Sequence, residues 1–314
     1  MKKLLFLLSI LTLLSSTYGQ GCSDAGFCTM GAMRPDQHFE PNNKIKLRSL
    51  ELNQYLGISR FNDIIHATTI DFNVEISKKL GAQIKIPYMA IDGPLGKNHG
   101  FGDISFSSTY TLYSSEKGQV NYTIGGKAPT NKANAKRDDA SLPMYYQTSL
   151  GTIDFVSGIS FITKGWLFAT GYQRVIADYN ENNFSWSPWG SMGLLEEAQQ
   201  YHSSINLQRN QDIMFRVEKN FHFSKFNFHI GLLDIIRLGE DKVDSPSTGE
   251  QVLVEDENGT SKGHAVTLLY GIGYNLNVHS SLKFLMGNRL IKRHYNADGL
   301  SRECVISTSY VIKF

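Results

Sequence analysis

Leu300-Ser-Arg-Glu-Cys-Val-Ile-Ser-Thr-Ser-Tyr-Val-Ile-Lys-Phe314 is the stretch whose reading decides the fold. Every second residue back from its end gives Phe314, Ile312, Tyr310, Thr308, Ile306 and Cys304, against Lys313, Val311, Ser309, Ser307 and Val305 between them. One face is greasier than the other. A strand with one face in hydrocarbon and the other toward a polar interior needs this period of two, and about ten tilted residues cross a bilayer. The stretch therefore predicts a transmembrane strand, with an edge strand of a soluble sandwich as the alternative.

The same residues resemble the C-terminal signature by which Gram-negative bacteria recognise outer-membrane barrel proteins. On that resemblance Phe314, Ile312 and Tyr310 are the expected assembly signal, and the barrel assembly machinery and outer-membrane lipids the expected partners. Composition agrees. Phe and Tyr total 33 and Gly 28, whereas Pro is 8 and Cys 3, which suits long pleated strands joined by turns. The only long apolar run is Leu4 to Leu14, behind Lys2 and Lys3 and ahead of the small residues Thr17 and Gly19. It reads as a signal peptide over residues 1–19, too short for a membrane anchor. Without it the 31 basic residues fall by two to 29, equal to the 29 acidic ones. A neutral chain in that compartment is not a nucleic-acid binder.

Residues 20–43 show neither helical nor strand period and read as a periplasmic segment that leads into the barrel or folds into it as a plug. Cys22 and Cys28 are disulfide candidates in an oxidising compartment, with free thiols, a metal site and lipidation at Cys22 as the rival readings. From Lys44 the chain alternates strand, short turn, strand, long loop. Ile70, Phe72, Val74 and Ile76 are interleaved with Asp71, Asn73, Glu75 and Ser77, a polar face that a soluble core strand rarely carries. Strands are expected near 44–57, 64–77, 81–90, 102–115, 119–128, 145–163, 165–177, 211–222, 225–238, 263–277, 280–293 and 300–314. In the first, Ile45 and Leu47 are out of phase with Leu50 and Leu52, which predicts a bulge. Short connections at 78–81, 115–118, 163–165, 222–225 and 278–280 face long ones at 91–101, 129–144, 178–210 and 239–262. That asymmetry predicts an all-β fold: a transmembrane antiparallel barrel of about 12 strands over 44–314, in the outer membrane of a Gram-negative bacterium.

Gly100-Phe-Gly-Asp-Ile104 leading to Tyr110, then Leu142-Pro143 and Leu150-Gly-Thr-Ile-Asp-Phe155 with Trp166 and Tyr172, resemble the outer-membrane proteins grouped as transporters of a phenol-degradation (MetA-type) pathway. The resemblance covers about residues 100 to 175 and implies a barrel that moves small, often apolar molecules. Gly100 and Gly102 are expected to supply backbone angles closed to other residues, with Asp103 accepting bonds from loop amides.

The polar faces place Asp71, Asn73, Glu75, Lys85, Thr109, Thr123, Lys127, Asp154, Arg216, Glu218, His229, Lys283 and Arg289 toward a lumen. Such residues either form a selectivity lining or pair to fill the interior. The loop 178–210 is too apolar to wave freely, so Trp186, Trp189, Leu194 and Leu195 are candidates for a constriction in the mouth or for a lid on neighbouring loops. The acidic loop 239–262 fits no calcium-loop spacing and reads as solvated surface. No metal and no cofactor is expected. Ser108 faces outward with no histidine beside it, and no nucleophile-elbow motif occurs, so an outer-membrane lipid hydrolase ranks below a transporter or channel for small molecules. A non-conducting barrel serving adhesion or scaffolding through its outer loops is the other alternative.

Overall fold

Alternation along the chain becomes alternation of outside and inside in the computed structural model of the protein, which describes Met30, Met33 and residues 45–314 apart from Asn258. Twelve antiparallel strands close into a barrel. Its wall begins with β1 (Lys46–Ile58), β2 (Ile64–Ser77), β3 (Leu80–Gly93), β4 (Gly96–Phe101), β5 (Ile104–Ser115) and β6 (Gly118–Ala128). After a loop ladder of β7 (Lys136–Arg137) and β8 (Ala140–Ser141) come β9 (Thr152–Thr163), β10 (Trp166–Asp178), β11 (Asp212–Phe223) and β12 (Phe226–Arg237). The next loop holds β13 (Lys242–Asp244) with β14 (Gln251–Leu253), and β15 (Glu255–Asp256) with β16 (Gly259–Thr260). The wall ends with β17 (Gly263–Asn275), β18 (Ser280–Ile291) and β19 (Cys304–Lys313). β1 closes the ring by pairing with β2 on one side and β19 on the other, Ser49 opposite Lys313 and Ile58 opposite Cys304. The bulge in β1 falls between Leu47 and Ser49.

Three expectations need correction. The connection at 91–101 is not a long loop: β3 runs to Gly93, turns over Pro94-Leu95 and returns as β4, whose residues pair with Tyr88 to Gly93. β4 and β5 lie one above the other along the same edge of β3, so together they count once around the ring. The strand expected from 145 starts instead at Thr152, because Met144, Tyr145 and Tyr146 form a 3-10 turn and bury their side chains among the loops. The strands expected to reach 293 and to start at 300 stop at Ile291 and begin at Cys304, since Arg293 and Arg302 turn inward and are buried.

The outward face is apolar, with Phe72, Val74, Phe106, Ile124, Phe168, Val217, Ile230 and Leu282 at wall positions. Aromatic residues gather at the short-turn end, where Trp166 stacks on Phe168 at 5.9 Å and Phe226 meets Tyr274 at 4.8 Å. At the other end Tyr88 meets Phe101 edge-on at 5.4 Å. Two aromatic girdles around an apolar band are what a barrel in a bilayer requires.

Candidate functional site

Each candidate on the polar faces occupies an inward position of the wall, and the structure pairs some with one another and others with residues outside the set. The Asp71 carboxylate accepts bonds from Gln83 Nε2 at 2.7 Å and Asn73 Nδ2 at 3.2 Å and faces Lys85 Nζ at 4.0 Å. Thr109 and Thr123 share a bond at 2.9 Å. Arg216 meets Glu218 at 2.6 Å, and Lys283 lies 3.8 Å from Glu51. Glu75 is buried on the same face as Asp71. Lys127 pairs with Asp103 at 3.5 Å, and Asp103 accepts the Leu150 amide at 3.3 Å. That bond ties the Gly100–Ile104 segment to the loop above it, as its carboxylate leads one to expect. The glycines work differently from expectation: neither Gly100 nor Gly102 has a positive φ. A Cβ on Gly102 would meet Met89 Sδ at 2.9 Å and Pro87 Cγ at 3.0 Å, so close packing is what requires the missing side chain.

The inner wall is not uniformly polar. Val156, Leu167, Ala169, Met214, Leu233, Ile235 and Leu269 point inward and pack into one cluster with Met30 and Met33, both buried. Residues from ahead of β1 thus lie inside the ring against β9 to β12 and β17. Cys22, Cys28 and the signal sequence fall outside the described residues. Apolar residues on both faces, as at Met214-Phe215, Leu232-Leu233 and Leu268-Leu269, are the sequence signal for an interior filled by protein.

Space remains beside this cluster. An outer cavity of about 200 Å³ has an apolar flank of Tyr55, Met89, Met144, Leu150 and Val305. A vestibule of about 900 Å³ opens at the short-turn end among Asn73, Gln83, Thr109 and His222. Glu51, His229 and Lys283 line both, so the two cavities adjoin there.

Long loops cap the outer cavity. The loop between β10 and β11 carries two short helices, α1 (Ser187–Gly190) and α2 (Leu195–Ala198). Trp189 is fully buried, with Phe184 and Tyr201, and Leu194 packs against the same cluster. Trp186 is 42 % exposed and donates from Nε1 to the Tyr201 carbonyl, whereas Leu195 stays on the outer surface. The loop is thus a lid on its neighbours, latched by Asp63 in the β1–β2 turn, which accepts from Tyr201 at 2.6 Å and Ser59 at 2.6 Å. Burial, reinforced by the Asp63 charge, pushes the Tyr146 and Tyr201 phenols well up, so both remain donors.

Beside the lid lies a buried ionic hub. Arg237 binds Asp212 at 2.9 Å, Asp298 at 2.9 Å and Asp241, while Arg209 reaches Asp154 at 3.2 Å and Asp298 at 3.7 Å, and Arg293 faces Asp298 at 4.0 Å. Burial alone would raise the Asp298 carboxyl, but the guanidinium groups of Arg237, Arg293 and Arg209 outweigh it and hold it well below the usual range. Arg289 belongs to the adjoining group, donating to Ser301 and pairing with Glu303. Asp154 therefore serves the hub, and Asp241 is a buried exception in a loop read as solvated surface. Sequence reasoning missed Arg237, Asp212 and Asp298. Arg237 shares the phase of His229 and Asp212 that of Arg216, so the alternation held a signal for those two; nothing local marks Asp298.

No family model matches the sequence, and no curated protein matches it. Among solved structures the chain is similar to the COG4313 outer membrane channel from Pseudomonas putida F1, with a TM-score of 0.60 at 11% identity over 89% of this chain and 99% of that one. The NanC porin aligns over 84% of this chain and 100% of its own at a TM-score of 0.49 and 9% identity. The CymD monoaromatic hydrocarbon channel covers 94% and 98% at a TM-score of 0.41 and 10% identity. The first of these likenesses and the girdled apolar band agree on the fold: the chain is a transmembrane antiparallel β-barrel of outer-membrane type, an outer-membrane protein.

Proposed function

We propose that the protein passes small molecules, apolar or aromatic ones among them, across the outer membrane along the open side of its lumen. The observation that carries this reading is the pair of cavities meeting at Glu51, His229 and Lys283. Lys85, Lys127, Arg216 and Lys283 in the lining each face a carboxylate, and the apolar flank from Tyr55 to Val305 suits an apolar or aromatic solute. In this reading the segment 20–43 is a plug that fills the other half of the lumen, and the loop 178–210 restricts the outer mouth. Kinship with the phenol-degradation transporters rests on the Gly100–Ile104 motif and its Asp103 tie. A passage fits better than a lipid hydrolase, because the Ser108 hydroxyl is spent on the Gly81 carbonyl at 3.3 Å. The closed lid favours a second reading, a non-conducting barrel that works through its outer loops.

Conductance separates the two. Glu51→Ala with Lys283→Ala clears the side chains between the cavities and removes both members of their ion pair, and replacing about residues 182–207 by a short Gly/Ser linker opens the mouth. In planar bilayers and swelling liposomes each should raise flux over the unmodified protein. If no form passes ions, sugars or small aromatic solutes while all remain folded, the passage is refuted and the second reading takes its place.

A further inference from the structure

The lipid-facing wall is apolar almost throughout, and the exceptions mostly satisfy themselves. Tyr270 donates to Asn288 at 2.6 Å, and His264 pairs with Asp234 at 2.8 Å near the outer ends of their strands. One row differs. Thr68 on β2, Gln54 on β1 and Thr308 on β19 stand directly across from one another on the outward face. Thr68 donates to Gln54 Oε1 at 3.0 Å, which leaves both N–H donors of the Gln54 amide and the Thr308 hydroxyl without a bond among the described residues.

The row lies deep in the band. Phe314 reaches the level of Arg48, whose carbonyl accepts its amide, and Gln54 is six residues further along β1. At about 2.5 Å of height per tilted residue that is about 15 Å into an apolar band about 25 Å tall. Neither water nor lipid headgroups supply an acceptor at that depth, and an amide left unbonded in hydrocarbon is costly. Leu52, Ile70 and Tyr310, all exposed, border the row on one side, with His66, Leu56 and Ile306 on the other. The two threonines are shorter than this border, so the row is a shallow polar notch in an apolar surface. On the far wall the corresponding surface is Phe215, Val217, Ile230 and Leu232, with no such notch.

We propose that the barrel pairs with a second copy of itself across β2, β1 and β19, with a two-fold axis beside Gln54. A primary amide carries donors and an acceptor together, so it is its own complement. Across a two-fold axis each Gln54 donates to the other's amide oxygen or to the partner copy's Thr308 hydroxyl, and the surrounding aliphatic, tyrosine and His66 side chains pack as one isologous patch.

The test uses the full chain in its native membrane. A benzophenone amino acid is placed at Leu52, on the border of the notch, or at Ile230 on the far wall, and both are irradiated in wild-type and Gln54→Leu backgrounds. Heat-modifiability on gels confirms that each variant is folded. The expected result is a covalent product of twice the chain mass from position 52 only, reduced at least five-fold by Gln54→Leu, with both partners identified as this chain by mass spectrometry. A product that joins the chain to a different protein, equal products from both positions, a product indifferent to Gln54→Leu, or no product at all would each overturn the proposal.

Discussion

Replacing Asp298 by Asn keeps the shape of the hub and removes one charge. Asp298 is fully buried, and its carboxylate faces Arg237 at 2.9 Å, Arg209 at 3.7 Å and Arg293 at 4.0 Å. Arg237 and Arg209 keep other carboxylates, but Asp298 is the one ion-pair partner of Arg293 among the described residues. Removing one member of a buried pair leaves an uncompensated charge and costs about 3–5 kcal/mol. The cost falls on the closure of the cap, which Trp189 and Trp186 report by fluorescence during urea titration. Loss of the cap transition at lower urea and faster proteolysis within 292–303 are expected. Adding Arg293→Met should recover part of the loss, since the stranded charge goes with it. The pH dependence follows from the depressed carboxyl: its contribution is fully present above the ordinary Asp value of about 3.9 and is lost as pH falls through the lower folded-state value. The gap between wild type and Asp298→Asn should hold constant from about pH 5 upward and close in acid. A cap transition that moves by less than about 0.5 kcal/mol, the range of a surface substitution, would refute the reasoning.

Two further outcomes are expected. Phe72→Arg places a charge in hydrocarbon at about 2–4 kcal/mol near the midplane, whereas Asn73→Arg enters the lumen at smaller cost; equal losses on refolding into vesicles would mean that the facing is reversed. Met30→Ala with Met33→Ala loosens the segment packed against Val156 and Leu269 by about 2–5 kcal/mol per methionine, seen as higher bilayer conductance and faster protease cleavage before β1, and unchanged behaviour in both would show that the segment does not limit the lumen.

What could be read from the chain depended on the range of the interaction. The wall was legible because a period of two is local: Ile70 to Ser77 show both faces of β2, and Leu47 against Leu50 shows the bulge. The arm of β3 and β4 was hidden because Gly93-Pro94-Leu95-Gly96 carries the composition of a loop while forming a tight hairpin tip. Tyr145 and Tyr146 have strand-forming side chains, yet burial against Tyr201 and Leu95 outweighs that preference. The inward charges were legible one by one, and some pairings are as local as Arg216 with Glu218 or Asp71 with Lys85, but others, such as Lys283 with Glu51, join strands remote in sequence. Nothing near Asp298 announces Arg237, and the role of Asp154 as a hub member rather than a lumen lining depends on Arg209 in a loop 55 residues away.

The hub also bears on how the barrel enters the membrane. Its acids and bases come from β9, β11, β12 and three separate loops, and on this topology all of them reach the outer side by crossing the bilayer. During translocation Arg237 has Asp241 only four residues along its own segment, but it meets Asp298 only after the loops have arrived. The free energy of the long-range pairings is therefore released on the far side alone. That makes the last step of insertion a ratchet: retreat of any one hairpin would have to pull its carboxylate or guanidinium away from partners held by the others.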